Sequence, residues 1–229
     1  MNMAVDEALL RSAAERGRPL LRVYSWRQPA VSIGYFQKFP AHLQGKYEIV
    51  RRPTGGGLVY HGDGVDTTYT VVVPPPHALY RMKTADAYCA IHKAVAAACE
   101  LCSRESHSRL SDPIPQKRFA PAIYSLHQAQ AVSPRGQYEC FQNPVPGDVV
   151  DDGRKLAGGA QRRNKSGMLH QGSIAAPVTA DGLKQAFCDA FDADFHSYEL
   201  SRAERALAEK FVQEKYTTDA WNRRYYCAS

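Results

Sequence analysis

Three consecutive glycines, Gly55, Gly56 and Gly57, lie between two short segments whose composition is typical of β-strands. Because glycine has no Cβ, such a turn adopts positive φ angles without penalty and lets backbone N–H groups approach a ligand. Arg51 and Arg52 come just before the turn, and arginine supplies forked donors for carboxylate or phosphate oxygens. An ordinary hairpin loop fits the three glycines equally well. The turn therefore predicts a tight hairpin that is a candidate anion site.

The turn is one of several motifs spread along the chain in a defined order. It reads Arg-Arg-x-Thr-Gly-Gly-Gly-x-Val-x-His, and it is followed by Lys-Leu-x-Gly-x-Ala-Gln and His-x-Gly-Ser. Together with two segments nearer the amino terminus, these motifs resemble the catalytic domain shared by lipoate–protein ligases and lipoyl-pathway octanoyltransferases. That domain is distantly related to biotin–protein ligases. The motifs lie at residues 2–10, 26–34, 51–61, 155–161 and 170–173.

Hydrophobic periodicity and turn residues predict an α+β protein. Short turns join the early strands, and the helices lie outside them, which favours a largely antiparallel central sheet flanked by helices. The resemblance implies the fold of class II aminoacyl-tRNA synthetases and biotin synthetases. The predicted strands are 20–26, 30–36, 47–52, 58–61, 67–73, a hairpin at 149–156 with an Asp-Gly type I′ turn, and 168–176, and the predicted helices are 2–15, one starting at 84, 181–190 and 201–215.

The length of the chain fits one domain with its own core, and no linker rich in Pro, Gly or Ser divides it. We therefore expect residues 1–229 to form a single biotin/lipoate protein ligase-like catalytic domain. Residues 103–121 are polar and aperiodic and contain proline, so they are predicted to be an exposed loop or an insertion.

Charge and hydropathy limit the partners and the compartment. No apolar run is long enough to span a bilayer and the start does not fit a signal peptide, so we expect a cytoplasmic protein with no membrane partner. The net charge is +6, but the basic residues are dispersed, which argues against nucleic acid and suits an acidic protein partner. Cys99 and Cys102 fit two small helix residues better than a metal or redox pair, and no metal site is predicted.

The resemblance implies that a medium-chain acyl group is joined to a lysine of an acceptor domain. In a transferase, a cysteine takes octanoyl from acyl carrier protein and passes it to a lipoyl domain or to glycine-cleavage H protein, without a cofactor. Cys140 begins a Cys-Phe-x-x-Pro segment at the place where cysteine-dependent octanoyltransferases carry one, although a lone cysteine is more often a structural thiol. Lys155 is then the cation that favours the thiolate and polarises the carbonyl.

In a ligase, ATP with Mg²⁺ and free lipoate form an adenylate, held by Lys155 and the backbone of residues 57–60, and no cysteine is needed. Three glycines in the turn are ligase-like, since the transferases more often have arginine third. Ligases commonly carry a further carboxy-terminal domain, whereas only residues 175–229 follow Ile174, which favours the transferase. A non-catalytic acyl-binding protein on the same scaffold is a third alternative, and the presence of Lys155 argues against it.

Further residues are expected to contact the substrate. Arg52 is assigned to the anion, while Arg51, on the opposite strand face, is predicted to be solvated. His61 fits both a ligand contact and a hydrogen-bonded core histidine. Trp26, Ile33 and Phe36 fit the core better than the acyl pocket. The predicted substrate-binding residues are Arg52, Thr54, Gly55, Gly56, Gly57, Leu58, Val59, Tyr60, His61, Asp148, which ligases place near the adenylate, and Gly158 and Ala160, whose small size leaves room for the acyl chain.

Overall fold

The computed structural model describes residues 1–62, 66–108, 144–176 and 178–224. Its helices are α1 (Asn2–Arg11), α2 (Ala13–Arg16), α3 (Ala78–Arg81), α4 (Thr84–Ser108), α5 (Ala180–Phe191), α6 (Arg202–Phe211) and α7 (Asp219–Asn222), with a 3₁₀ turn at Ala41–Leu43 and a π-helical turn at Val212–Tyr216. Its strands are β1 (Leu20–Tyr24), β2 (Ala30–Ile33), β3 (Glu48–Arg51), β4 (Leu58–His61), β5 (Thr67–Val73), β6 (Val149–Asp151), β7 (Arg154–Asn164) and β8 (Gly167–Ile174).

The strands form two sheets. The larger has five strands in the order β1-β5-β8-β7-β6, and every neighbouring pair in it is antiparallel. The smaller has the order β3-β2-β4, in which β2 pairs with β3 in parallel and with β4 antiparallel. The α+β class and the largely antiparallel central sheet are therefore confirmed.

Helices cover both faces of the large sheet because the strand residues alternate between the two faces. On β5, Tyr69 and Val71 belong to the cluster formed with α4 and α5, whereas Val72 belongs to the cluster formed with α1 and α6. Met168 and Leu169 on β8 divide in the same way. Burial on both faces fixes the register of the sheet, because a shift by one residue would exchange the two sets. No helix in the described ranges is long and apolar enough to cross a membrane.

The hairpin of β6 and β7 has the predicted type I′ turn. Asp152 and Gly153 both have positive φ angles, 46° and 77°. In a type I′ turn both central residues need positive φ, which explains the Asp-Gly pair. The turn reverses the chain so that Lys155 pairs with Val150 near the start of β7.

The predicted loop at 103–121 was wrong over its first six residues, because α4 continues to Ser108. Polar composition suggested a loop, but no proline or glycine occurs between Cys102 and Pro113 to end the helix. Residues 109–121 lie outside the described part of the chain, and so does Cys140.

Arg51 is fully buried, which corrects the expectation that it is solvated. Its Nη1 donates to the carbonyl oxygens of Gly34 (3.0 Å) and Gln37 (2.7 Å), and its Nη2 donates to that of Asn222 (2.8 Å). Its Nε donates to the carbonyl oxygen of Trp221 (3.1 Å). The guanidinium thus joins the small sheet to α7. The alternation of side chains along the strand correctly predicts that Arg51 and Arg52 point to opposite faces. Arg51 is nevertheless buried, because α7 covers the face to which it points.

Candidate active site

A cavity, here named the central cavity, lies where both sheets meet the amino-terminal end of α1. Most of its wall is apolar or glycine, and a few polar side chains point into it. The predicted residues Arg52, Val59, His61, Lys155, Gly158 and Ala160 all line it, although the two motifs that carry them, residues 51–61 and 155–161, are far apart in sequence. The other lining residues are Met3, Tyr24, Trp26, Ser32, Thr68, Gly159, Gln171, Gly172 and Ser173.

Lys155 forms a buried ion pair with Asp148. Its Nζ lies 2.7 Å from Oδ2 of Asp148, and the two side chains are 5% and 0% exposed. The hydroxyl of Tyr88 donates to Oδ1 of Asp148 (2.6 Å), and the backbone N–H of Val145 donates to Oδ2 (2.8 Å). A buried carboxylate that accepts several hydrogen bonds and faces a cation has its desolvation cost largely offset. Asp148 therefore holds the ammonium of Lys155 at the cavity wall.

Gly158 makes room for Lys155 itself. A Cβ on Gly158 would lie 2.5 Å from Nζ of Lys155 and closer still to Cε, so the lysine side chain crosses directly over this glycine. Sequence reasoning assigned the small size of Gly158 to the acyl chain. The structure adds a second reason for glycine here, because the space that a side chain would fill is occupied by Lys155.

Arg52 clamps the glycine turn. Its Nη2 donates to the carbonyl oxygens of Gly55 (2.8 Å) and Gly57 (2.7 Å), its Nε donates to Gly55 (3.1 Å), and its Nη1 donates to the carbonyl of Ser32 (3.0 Å). All three guanidinium nitrogens thus bond to backbone carbonyls of the turn and of β2. Arg52 fixes the shape of the turn from the cavity side.

The turn itself approaches the backbone of β2 very closely. Gly56 has a φ of 88°, a backbone angle that residues other than glycine rarely adopt. A Cβ on Gly34 would collide with the carbonyl group of Gly56. Thr54 donates through Oγ1 to Oε1 of Gln171 (2.8 Å), which ties the turn to β8 of the large sheet. Position 34 therefore requires glycine because a side chain there would collide with the turn. Gly56 is required because of its positive φ.

The residues of β4 divide between two faces. Val59 and His61 line the central cavity, whereas Leu58 is buried in the core of the small sheet and Tyr60 is exposed and packs on Tyr47. The side chains of Leu58 and Tyr60, both predicted to bind substrate, therefore point away from the cavity. The side-chain period of a strand is two, so four consecutive residues cannot share one face.

His61 makes two short hydrogen bonds. Nδ1 lies 2.8 Å from Oδ2 of Asp66, and Nε2 lies 2.8 Å from Oγ of Ser32. Burial lowers the pKa of His61 below its usual value, against the opposing effect of Asp66. A carboxylate only accepts, so Nδ1 carries the proton of the neutral ring and Nε2 accepts from Ser32. The ring stacks on Trp26, with 4.3 Å between centroids.

Sequence reasoning did not single out Ser32 or Asp66. Ala30 pairs directly with His61 across β2 and β4, so Ser32 is the same-face neighbour one step along β2. The contact between Ser32 and His61 is diagonal across the two strands, and the predicted strands would have indicated it if their register had been known. Asp66 also accepts from the backbone N–H of Gly62 (3.0 Å), a contact that no pattern in the sequence indicates.

Two buried histidines lie behind the wall of the cavity. His170 is fully buried, and a Cβ on Gly159 would lie 2.5 Å from its Nε2, so β7 needs glycine there. Burial lowers the pKa of His170 well below its usual value and that of His92 to about 4. Both rings are therefore neutral, and His170 packs behind the cavity wall as part of the core.

The aromatic and aliphatic candidates have separate positions. Trp26 lines the cavity, where its Nε1 donates to Oγ1 of Thr68 (3.0 Å), and Ile33 is buried in the core of the small sheet. Phe36 is 75% exposed, so it belongs neither to the core nor to the cavity. Among the described residues no group of three His, Cys, Asp or Glu side chains could hold a metal ion.

Comparison with known proteins now identifies the family. The family model for the lipoyl protein ligase A/B catalytic domain matches residues 1–199. The chain belongs to the lipoyl protein ligase A/B catalytic domain family.

Members with similar sequences are named as transferases. An octanoyltransferase LipM from Kyrpidia tusciae is 30% identical over 97% of this chain and 94% of its own. An octanoyltransferase LipM from Geobacillus kaustophilus is 29% identical over 96% of this chain and 92% of its own.

Solved structures in the family share the fold. Lipoate-protein ligase A bound with ATP superposes with a TM-score of 0.73 at 22% identity, over 96% of this chain and 92% of that one. A bipartite lipoate protein ligase from Thermoplasma acidophilum gives 0.68 at 20% identity, over 100% and 92%. These likenesses confirm the ligase-type α+β fold of the family.

Proposed function

We propose that this protein is an octanoyltransferase of protein lipoylation, which moves an octanoyl group from acyl carrier protein to a specific lysine of a lipoyl domain or of glycine-cleavage H protein. The similarity to LipM octanoyltransferases over almost their whole length supports this reaction. The observation that carries it is the buried Lys155–Asp148 pair at the wall of the central cavity.

Cys140 is the proposed nucleophile. Its thiolate attacks the carbonyl carbon of the octanoyl thioester, the thiolate of the carrier leaves and takes up a proton from water, and the acyl group is held as a thioester on Cys140. The amine of the acceptor lysine then attacks that carbonyl, and the Cys140 thiolate leaves as the amide forms. No cofactor enters either step.

The chain that follows Cys140 leads to the partner of Lys155. Val145 comes five residues after Cys140, a reach of at most roughly 18 Å, and its N–H donates to Asp148. In this proposal the ammonium of Lys155 stabilises the thiolate and the negative charge that develops on the carbonyl oxygen in both steps. A fixed cation in a buried site does this more strongly than a solvated one.

The apolar wall provides most of the affinity for the acyl chain. Met3, Trp26, Val59 and Ala160 line the cavity beside Lys155. Burying a methylene group contributes about 0.8 kcal/mol, so a chain of octanoyl length is held mainly by apolar contact. The net charge of +6 favours encounter with acidic carrier and acceptor domains.

The test is to weigh the intact protein after incubation with octanoyl-acyl carrier protein, without ATP. We expect one added octanoyl group that hydroxylamine removes and that Cys140→Ser lacks. A parallel sample with ATP, Mg²⁺ and free lipoate addresses the ligase alternative, because a structure of the same fold holds ATP. If Cys140→Ser remains active and modification of the acceptor requires ATP, the transferase proposal is wrong.

A further inference from the structure

Asp66, His61 and Ser32 form a continuous line of hydrogen bonds that ends at the central cavity. The carboxylate of Asp66 accepts from Nδ1 of His61, and Nε2 of His61 accepts from the hydroxyl of Ser32, each over 2.8 Å. Ser32 and His61 both line the cavity, and their side chains are almost fully buried. Asp66 thereby fixes the tautomer that leaves a lone pair on Nε2, the arrangement that a general base requires.

The amide-forming step needs such a base. An acceptor lysine has a solution pKa near 10.4, so only the small fraction that has already lost its extra proton to water can attack as a neutral amine at neutral pH. Once its amine has attacked the acyl carbonyl, the nitrogen carries a positive charge until a proton is removed. Lys155 is paired with Asp148 as a cation in the proposed mechanism, so it is not suited to take that proton.

We propose that His61, oriented by Asp66, is the general base that deprotonates the attacking amine, and that the hydroxyl of Ser32 relays the proton. The proposal rests on the proposed function, since it requires an amine acceptor, but it holds for a thioester and an adenylate donor alike.

The proton balance is simple. The nitrogen–carbon bond forms and one N–H proton passes to Oγ of Ser32, while Ser32 gives its own proton to Nε2 of His61. The leaving group departs with the electron pair of its bond to the acyl carbon. The imidazolium that results is paired with the carboxylate of Asp66, and it returns its proton to water after the product leaves.

The surroundings of His61 favour a neutral resting state. Arg52 donates to Oγ of Ser32 from Nη1 (3.2 Å), Trp26 stacks on the imidazole, and Lys155 lies in the wall of the same cavity. The burial of the ring and the charge of Arg52 oppose its protonation, and Asp66 supports it. Because Arg52 also donates to the hydroxyl of Ser32, that hydroxyl is directed towards His61 as a donor.

The test separates the two half-reactions in the full-length protein. Acyl-enzyme formation from octanoyl-acyl carrier protein and transfer from isolated acyl-enzyme to a lipoyl domain are timed for wild type, His61→Gln and Asp66→Asn. We expect transfer to slow by about 10²- to 10⁴-fold in His61→Gln, more than acylation slows, so that acyl-enzyme accumulates. His42→Gln, at an exposed position outside the cavity, is the matched control.

A purely structural role predicts other results. If His61→Gln slows both half-reactions equally, or leaves transfer unchanged, the base assignment is wrong. In His61→Ala, added imidazole should restore part of the transfer rate, and absence of rescue at all imidazole concentrations would count against the proposal. If His61 variants do not fold, Ser32→Ala must still slow transfer selectively.

Failure of the proposed function gives a distinct signal. If wild type forms no acyl-enzyme but modifies the acceptor with ATP and lipoate, the donor assignment is wrong. The effect of His61→Gln on the rate of amine transfer is then measured in the ATP-dependent reaction. There, adenylate formation replaces acylation as the reference step. An unchanged amine-transfer step in His61→Gln would overturn the base in either case.

Discussion

The ammonium nitrogen of Lys155 lies 2.7 Å from a carboxylate oxygen of Asp148, and neither side chain has appreciable contact with solvent. Removing one partner of a buried ion pair leaves the other uncompensated, which typically costs about 3–5 kcal/mol. Replacing both by neutral side chains of similar size removes that cost. The pair therefore allows stability and catalysis to be separated.

We expect Lys155→Met and Asp148→Asn each to lower the free energy of unfolding by about 3–5 kcal/mol, and the double variant to recover much of that loss. Octanoyl transfer should be abolished in both variants that lack Lys155, including the recovered double variant. Denaturant titration and transfer assays measure the two effects. Transfer by the double variant at wild-type rates would remove Lys155 from the active site.

Gly158 offers a second test of the lysine position. In Gly158→Ala the added methyl group meets Cε and Nζ of Lys155, so the ammonium must move from its place beside Asp148. We expect transfer to fall by at least about tenfold, since small displacements of a catalytic group are costly.

The control for this prediction is the same substitution in a Lys155→Ala background, where the colliding side chain is gone. There Gly158→Ala should cost less stability than in wild type, and calorimetry gives the coupling energy. Equal costs in the two backgrounds would show that Gly158 serves some other purpose.

The glycine turn contains a matched pair of positions. Gly56 has a φ of 88°, whereas a Cβ on Gly55 would meet nothing within 4 Å. Gly56→Ala should therefore destabilise the protein by about 1–2 kcal/mol through backbone strain, and Gly55→Ala by clearly less. Thermal unfolding of the two variants measures the difference. If both substitutions cost the same, the positive φ is not what requires glycine at Gly56.

Local signals explain why much of this site could be predicted. The Asp152–Gly153 dipeptide fixes a type I′ turn because both residues tolerate positive φ, and this turn sets the position of Lys155. The alternation of β4 predicts that Val59 and His61 share a face. The glycine run predicts a close backbone approach, and Gly34 is where that approach occurs.

Tertiary contacts explain what the sequence could not reveal. Arg51 is buried because α7, far along the chain, covers it, and no local pattern indicates that cover. Gly158 serves Lys155 because of the path that a long side chain takes, which composition does not encode. Asp66 contacts His61 through a side-chain hydrogen bond that no periodic pattern in the sequence indicates.

His92 makes the stability of the fold sensitive to acid. Its Nδ1 lies 2.7 Å from the carbonyl oxygen of Gly147 and donates to it, while Nε2 has no hydrogen-bond partner among the described residues. Burial lowers the pKa of His92 from 6.5 to about 4. The unfolded chain therefore binds more protons than the folded protein between these pH values. Stability is fully present above pH 6.5 and falls as the pH drops towards 4.

His92→Asn removes this titration and keeps a donor near the position of Nδ1 for Gly147. We expect the free energy of unfolding to fall less steeply between pH 6.5 and 4 in the variant, by an amount on the order of 3 kcal/mol over the whole window. Burial also lowers the pKa values of His170 and His61, so the stability of the variant should still decrease to some extent as the pH falls. Urea titrations at several pH values measure it, and parallel curves for wild type and His92→Asn would mean that His92 does not contribute to acid sensitivity.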